Sequence, residues 1–216
     1  MSSEQAAKLL AAVANVNEHY LPLTETLLTL GLRFGEAVAL RVGDIAPDFA
    51  VVTVRTTTGR YGETTPKSHK ERRVPVPESL RDVLRAAVKD KEPGDRVFTA
   101  PRGGQIELHN YRRDVKWDTK VRAAVGRPDL RPHDLRHTAA VAMCDAGVPV
   151  PVVQRILGHS SLTTTQRYVA PGEDAVMAAL DRYTGVCVWG TFGGHLGAND
   201  NQKGGSAQLN GSDKAR

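Results

Sequence analysis

The chain has 216 residues, 40% of them apolar and 25% charged, which is the composition of an ordinary globular domain. No apolar run reaches the roughly 18 to 20 residues that span a bilayer, and the N-terminus lacks the layout of a secretory signal. Two cysteines make no disulfide framework. We therefore expect a reducing, cytoplasmic location. The net charge of +5 favours a nucleic-acid partner only weakly, because many basic proteins bind none.

Hydrophobic spacing predicts short helices and a few strands along most of the chain. Leucines recur at three- and four-residue steps over residues 4–16 and 20–32, which is typical of amphipathic helices. The β-branched run at 48–55 and the segment at 72–77 indicate two strands joined by a long polar connection. The other predicted elements are helices at 35–42, 78–91, 108–125, 132–146, 149–157, 161–169 and 173–183 and a short strand at 97–100.

The last 32 residues differ from the rest in composition. They hold eight of the 20 glycines of the chain, with Asn, Gln and Ser between them. A segment of this kind buries little apolar surface, so we expect a mostly disordered tail over residues 185–216. The predicted organisation is therefore one mainly α domain with a small antiparallel β-sheet (α+β) over residues 1–184, followed by that tail.

Several common sites are absent from the sequence. There is no glycine-rich loop ending in Gly-Lys-Ser/Thr, no HExxH, no paired CxxC and no GxSxG. The carboxylates are scattered rather than clustered, which argues against two-metal nuclease or polymerase chemistry. We therefore expect neither a metal nor an organic cofactor.

Residues 130–170 hold groups that suit a phosphodiester. His133 and Arg136 stand three apart and share one face near the N-terminus of the predicted helix 132–146. A guanidinium that donates two parallel hydrogen bonds, beside a titratable imidazole, suits an anion. The HxxR spacing alone is more often structural, and a tyrosine such as Tyr168 is by itself often a half-buried packing residue.

Three segments in order give the sequence a resemblance to a known family. HDLRHT at 133–138 is followed by LGHSSLTTTQRY at 157–168, in which Tyr168 stands nine residues after His159. Upstream, residues 27–45 contain Gly-Leu-Arg with a Glu three residues later, and residues 64–77 contain TTPKSHKERRVPVP. These segments resemble the motif boxes of the tyrosine recombinases, the phage integrase family, over most of residues 4–184. The resemblance implies the catalytic-domain fold of DNA breaking-rejoining enzymes.

The resemblance implies a tyrosine nucleophile and a set of cationic phosphate ligands. Tyr168 would attack the scissile phosphate and form a 3′-phosphotyrosyl link. Arg33 and Arg136 would grip the non-bridging oxygens, and His159 would add a further hydrogen bond. Guanidinium suits this task because it is planar and always charged. The implied function is a site-specific recombinase that cleaves and rejoins DNA.

The same resemblance implies the groups that move protons. His133 would act as general base toward the tyrosine hydroxyl and as acid on the return. Lys67, in the connection before the second strand, would protonate the leaving 5′-oxygen. Lys70 is the main rival to Lys67, because a lysine in such a hairpin can be aligned a few residues away.

Four further residues have supporting roles in this interpretation. Glu36 lies one helical turn after Arg33 and is expected to orient it, although a surface pair is equally compatible with the spacing. Lys70, Arg72 and Arg73 are expected to contact DNA phosphates or simply to face solvent.

The resemblance also implies partners. They are double-stranded DNA and, on paired DNA sites, three further copies of the chain, with a monomer in free solution. The resemblance therefore also implies that the protein is associated with DNA in the cytoplasm and has no membrane partner. Most members place a separate helical core-binding domain before the catalytic one, and this sequence begins where the second domain begins, so we expect that domain to be absent.

Three other classes compete with the recombinase. Type IB topoisomerases share the chemistry, but the short distance from LGH to the tyrosine favours a recombinase. A truncated or regulatory DNA-binding relative would lack independent recombination activity, and a helical transcription factor would not need a tyrosine, two arginines and two histidines. Loss of cleavage with retained DNA binding on replacement of Arg136 would support catalysis.

Overall fold

In the computed structural model, the described part of the chain comprises residues 1–59, 62–64 and 71–158, with the backbone alone described at 59 and 62–64. The predicted helices at 161–169 and 173–183 and the tail over 185–216 lie outside the described residues. The predicted domain boundary at residue 184 also lies outside the described residues.

The described elements are mostly short helices. The α-helices are α1 (Ser3–Asn17), α2 (Leu21–Leu30), α3 (Phe34–Ala39), α4 (Glu78–Ala87), α5 (Leu108–Asp114), α6 (Arg122–Val125), α7 (Asp134–Asp145) and α8 (Val150–Leu157). The strands are β1 (Val51–Val54), β2 (Thr57–Gly59), β3 (Gly62–Thr64) and β4 (Arg72–Pro75). Single 3-10 turns lie at Glu18–Tyr20 and Val42–Asp44, and a π turn lies at Trp117–Val121. A mainly α fold with a small antiparallel sheet is confirmed.

The larger of two apolar clusters in the described residues joins the helices to the sheet, and a smaller one packs α8 against α7. Leucines of α1 and α2 pack with the aromatic residues Tyr20, Tyr111 and Trp117, all nearly inaccessible to solvent. The buried indole N–H of Trp117 donates to Leu130 O at 3.0 Å, so its polar atom is satisfied inside the core. Each such large apolar side chain contributes roughly 1.5 to 3 kcal/mol by burial. This core holds in place the helices whose ends form the candidate site.

The described strands form two antiparallel pairs. β1 pairs with β4 so that Val52 faces Val74, and both valines are buried in the core. β2 pairs with β3 in a hairpin against α3. At the contact with α3, a Cβ on Gly35 would lie 2.3 Å from Thr58 O, so only glycine allows this approach. The hairpin is thereby held over the start of α3.

The end of α2 is fixed against two later helices. Gly31 caps α2 with φ +63°, a left-handed conformation that favours glycine. A Cβ at Gly31 would lie 2.6 Å from Leu157 Cδ2 and 3.1 Å from Ala139 Cβ. Hence α2 ends in close contact with α7 and α8, and the Gly-Leu-Arg segment leaves this contact directly.

Two predicted elements differ from the structure. The strand predicted at 97–100 is wrong, because Val97 and Phe98 are buried in an irregular segment that forms an isolated bridge, Arg96 with Arg41, and no ladder. The helix predicted at 108–125 is interrupted at Lys116, which adopts φ +49° before a π turn. Because Val115 and Trp117 are both buried, the apolar stripe changes phase by two residues there, which a continuous helix does not allow.

Within the described ranges, no helix is both long and apolar enough to cross a lipid bilayer.

Candidate active site

The candidate site is centred on a buried carboxylate, Glu36 of α3, whose side chain is 1% exposed. Oε1 accepts from Arg33 Nη1 at 2.9 Å and from Arg72 Nη1 at 3.0 Å. Oε2 accepts from the backbone N–H of Arg33 at 2.8 Å and from Arg72 Nη2 at 2.6 Å. A carboxylate has about four acceptor positions, so both oxygens are fully used. Glu36 thus contacts Arg33, as expected from the sequence. The pair is not an exposed surface ion pair, because the Glu36 carboxylate is buried.

Arg136 of α7 joins the same group from another side. Its side chain is 5% exposed, and Nη1 lies 3.9 Å from Glu36 Oε2. Nη1 also donates to Gly31 O and Nη2 to Leu157 O, both at 2.7 Å. These carbonyls belong to the ends of α2 and α8, where the helix dipoles favour a cation. Arg136 therefore holds two helix ends beside the carboxylate that binds Arg33.

Arg72 occupies a different place from the one predicted for it. The sequence assigned it to DNA phosphates or solvent, yet its side chain is 9% exposed and makes two parallel hydrogen bonds to Glu36. Its Nε also donates to Ile156 O at 3.0 Å. A sequence signal existed, because Arg72 is two residues before the buried Val74 and shares its face of β4.

The cluster carries more positive than negative charge. Three guanidiniums, those of Arg33, Arg72 and Arg136, lie within 4 Å of the single carboxylate of Glu36. Arg33 is the most exposed of the three, with 42% of its side chain accessible. An excess of cationic charge with one guanidinium open to solvent suits binding of an anion such as a phosphodiester. The fixed donors need little reorganisation when that anion gains charge.

His133 lies beside this charge, at the start of α7, and its side chain reaches solvent. The pKa of His133 is lowered below 6.5. The largest cause is partial burial of the ring, the next is the positive charge of Arg136, and Arg33 has a smaller effect, while the negative charge of Asp134 opposes the change. The neutral imidazole is therefore favoured at neutral pH. A neutral imidazole can accept a proton from a hydroxyl, as a general base must.

Two open pockets meet at His133. One of about 500 Å³ lies on the side of Asp134 and His137, and the other, of about 400 Å³, lies toward α5. The second is lined by Phe34, Leu108, Arg112, Arg122, Arg131, Pro132 and His133. The imidazole is thus open to a large molecule approaching from outside. Within the described ranges, no cluster of three His, Cys, Asp or Glu side chains could hold a metal ion.

The remaining predicted site residues are placed as follows. Lys67, Lys70, His159 and Tyr168 lie outside the described residues. Arg73 is exposed on β4, next to the buried Arg72, and its expected contact with DNA stays a prediction. The structure thus brings Arg33 and Arg136 to Glu36, places His133 near both of these arginines, and adds Arg72 to the cluster.

The chain is similar in sequence to a described protein family and to curated members of one enzyme class. Residues 1–174 match the model of the Phage integrase family. The tyrosine recombinase XerC of Mycobacterium tuberculosis is 33% identical over 182 residues, which cover 78% of this chain and 57% of that protein. XerC of Corynebacterium glutamicum is 33% identical over 190 residues, covering 84% and 58%. The chain therefore spans little more than half the length of these relatives.

Solved structures show the same fold. The Tn1549 transposon integrase in complex with a circular intermediate DNA superposes with a TM-score of 0.72 at 20% identity, covering 84% of this chain and 65% of that one. XerA recombinase gives 0.64 at 23% identity, covering 85% and 64%. The catalytic domain of the bacteriophage HP1 integrase gives 0.57 at 23% identity, covering 84% of this chain and 92% of that domain.

Replacing Glu36 by Gln tests the buried carboxylate. We expect it to lower the free energy of unfolding by about 3 kcal/mol or more at pH 7, because it leaves buried guanidiniums without their counter-charge. Burial raises the pKa of Glu36, but the hydrogen bonds and charge of Arg72, then those of Arg33, outweigh it and hold the pKa below 4.5. The stabilisation by the carboxylate is thus complete above pH 4.5 and is lost as the pH falls through the lowered pKa.

Urea unfolding of wild type and Glu36→Gln at pH 7 and at several values below pH 4.5 measures this. The difference between the two proteins should shrink on acidification. The control is Glu4→Gln, which removes an exposed partner of Lys8 and should leave unfolding unchanged within error. A Glu36→Gln protein as stable as wild type at pH 7 would contradict the assignment.

The second prediction concerns protonation of His133. Its pKa should lie below 6.5, and Arg33→Gln should raise it, because one neighbouring positive charge is removed. Titration of the His133 ring resonances by NMR gives both values. Arg127→Gln, which removes a guanidinium already paired with Asp129, is the matched control and should leave the pKa of His133 unchanged. A His133 pKa that does not respond to Arg33→Gln would disprove the proximity of the two charges.

Proposed function

The chain belongs to the phage integrase family, and on that premise we propose that it is the catalytic part of a site-specific DNA recombinase that cleaves and rejoins strands through a tyrosine. One observation carries this proposal furthest. Arg33 and Arg136, the two arginines of the family's motif boxes, lie far apart in sequence and yet within 4 Å of the same buried carboxylate. A pair of guanidiniums held in this way suits one phosphodiester.

The proposed reaction is a transesterification in two directions. The hydroxyl oxygen of Tyr168 forms a bond to the scissile phosphorus, and the bond from phosphorus to the 5′-oxygen breaks. The tyrosine proton passes to His133, and the 5′-oxygen leaves as a hydroxyl after it receives a proton from Lys67. Attack by a 5′-hydroxyl on the 3′-phosphotyrosyl link reverses these steps and joins the strand. The covalent link conserves the bond energy, so no nucleotide or metal enters the scheme.

The cationic groups lower the barrier by stabilising charge on the phosphate. Arg33 and Arg136 donate to the non-bridging oxygens, and His159 is proposed to add a further donor. The neutral state of His133 at neutral pH supports its part as base, since a tyrosine hydroxyl with a pKa near 10 is otherwise a weak nucleophile. Gly158, the last described residue, directly precedes His159, and α8 brings it to the Arg72 side chain.

Double-stranded DNA is the proposed substrate, with four copies of the chain on paired sites and a monomer without DNA. A solved neighbour, the XerH site-specific recombinase, is described as bound to its difH substrate in a pre-cleavage complex, which supports DNA as the ligand class. Gel filtration with light scattering, with and without DNA, measures the assembly. A stable tetramer without DNA would contradict this part of the proposal.

A covalent protein–DNA product tests the proposed function directly. The chain is incubated with a pool of nicked duplexes, in which cleavage beside the nick releases a short fragment and traps the intermediate. A denaturing gel should show a protein–DNA band that is absent in Tyr168→Phe, because phenylalanine has no attacking oxygen. Tyr183→Phe is the matched control and should keep the band.

The possible outcomes test the assignment of Tyr168 as nucleophile separately from the proposed cleavage activity. A band that survives in Tyr168→Phe would mean that another residue is the nucleophile. Absence of any band from wild type, on DNA that the protein demonstrably binds, would contradict the proposed activity of this chain.

A further inference from the structure

The side chain of Arg72 connects three elements of the site. Arg72 begins β4, pairs across the ladder with Val54, and reaches Glu36 of α3 with both terminal nitrogens. Its third nitrogen, Nε, donates to Ile156 O in the last turn of α8. One guanidinium carried by β4 therefore binds α3, which begins directly after Arg33, and α8, the helix that precedes His159 in the sequence. A lysine could not make these contacts, because an ammonium is a point charge without the planar fork.

The end of α8 is fitted around this guanidinium. Gly158 caps α8 with φ +70°, and a Cβ there would lie 2.9 Å from Arg72 Cδ, 3.0 Å from Nε and 3.1 Å from Cζ. Glycine is thus required at 158 by the backbone conformation and again by the Arg72 side chain. The two contacts at Ile156 and Gly158 seat the last turn of α8 on Arg72.

Arg72 is also linked, by sequence or through a contact, to two stretches of sequence that the proposed function needs. It follows Lys67 by five residues in sequence, and its contact Gly158 directly precedes His159. Through Glu36 it shares a carboxylate with Arg33, the most exposed guanidinium of the cluster. Without Arg72, Glu36 would lose two of its four hydrogen bonds, and nothing described would tie β4 to that carboxylate.

We propose that Arg72 is a positioning residue, which sets the place of Arg33 through Glu36 and the place of the last turn of α8 through Ile156 and Gly158. This inference rests on the proposed function of the same site and extends it. Arg72 itself does not contact the phosphate in this scheme. It fixes β4, α3 and the last turn of α8 relative to one another, and a displacement of about 1 Å among catalytic groups slows a reaction by up to about a hundredfold.

The test compares Arg72→Lys with Arg96→Lys. Arg96 is a matched control because it is another partly buried arginine, and it donates to α3, at Val38 O, and to Gln105. For each protein we would measure urea unfolding, DNA affinity by anisotropy, and the single-turnover rate of covalent product on saturating nicked DNA. The same duplex that gives the Tyr168-dependent band in wild type is the substrate.

We expect Arg72→Lys to slow covalent product formation about ten- to hundredfold on saturating DNA while DNA affinity changes less than about threefold. Arg96→Lys should lose a comparable amount of stability but keep the wild-type rate. A wild-type rate in folded Arg72→Lys, or an equal loss in Arg96→Lys, would overturn the proposal. If Arg72→Lys does not fold, Gly158→Ala is the second variant, since it displaces Arg72 without removing its charge, and it should show the same loss of rate.

A second readout does not depend on activity. Hydrogen exchange of backbone amides, followed by mass spectrometry of peptides that cover Ile156–Gly158, should be faster in Arg72→Lys than in wild type and unchanged in Arg96→Lys. If wild type forms no Tyr168-dependent product, the proposed function fails, and this exchange measurement still decides on Arg72. Unchanged exchange at Ile156–Gly158 in Arg72→Lys would overturn the positioning role.

Discussion

The site depends on one buried negative charge. A carboxylate such as that of Glu36, removed from water, costs several kcal/mol unless hydrogen bonds and opposite charges replace its hydration. Four N–H groups meet this requirement, three from guanidiniums and one from the backbone of Arg33. Because each donor must reach the same two oxygens, the elements that carry them are fixed relative to one another. The positions of α3 and β4 in this part of the fold follow from that constraint.

The arginines of the cluster differ in what they hold. Arg136 and Arg72 are almost inaccessible and satisfy carbonyls at helix ends, those of Gly31, Ile156 and Leu157. Arg33 keeps 42% of its side chain exposed and is the guanidinium most open to a ligand. The excess positive charge is therefore created by groups that also build the fold, so the anion site and the packing of helix ends are parts of the same structure.

Much of this arrangement was visible in the sequence, and the rest has clear physical reasons. The resemblance to the family's motif boxes predicted Arg33, His133 and Arg136 as members of one site, and leucine periodicity predicted α1 and α2, because periodicity is a local pattern. Arg72 was assigned to DNA or solvent because arginines on a strand are usually exposed, although its two-residue spacing from Val74 places it on the buried face. The helix at 108–125 was predicted as continuous because the phase change between Val115 and Trp117 is visible only when both are known to be buried.

The most direct test of the central role of Glu36 is a double-mutant cycle with Arg33 on the rate of covalent product formation. The rates of wild type, Glu36→Gln, Arg33→Lys and the double variant are compared on saturating nicked DNA, at a temperature where all four are folded. If Glu36 acts by holding Arg33, the double variant should be no slower than the slower single variant, within about twofold, because contacting residues couple. Losses that simply multiply would contradict the account and would mean that the two residues act independently.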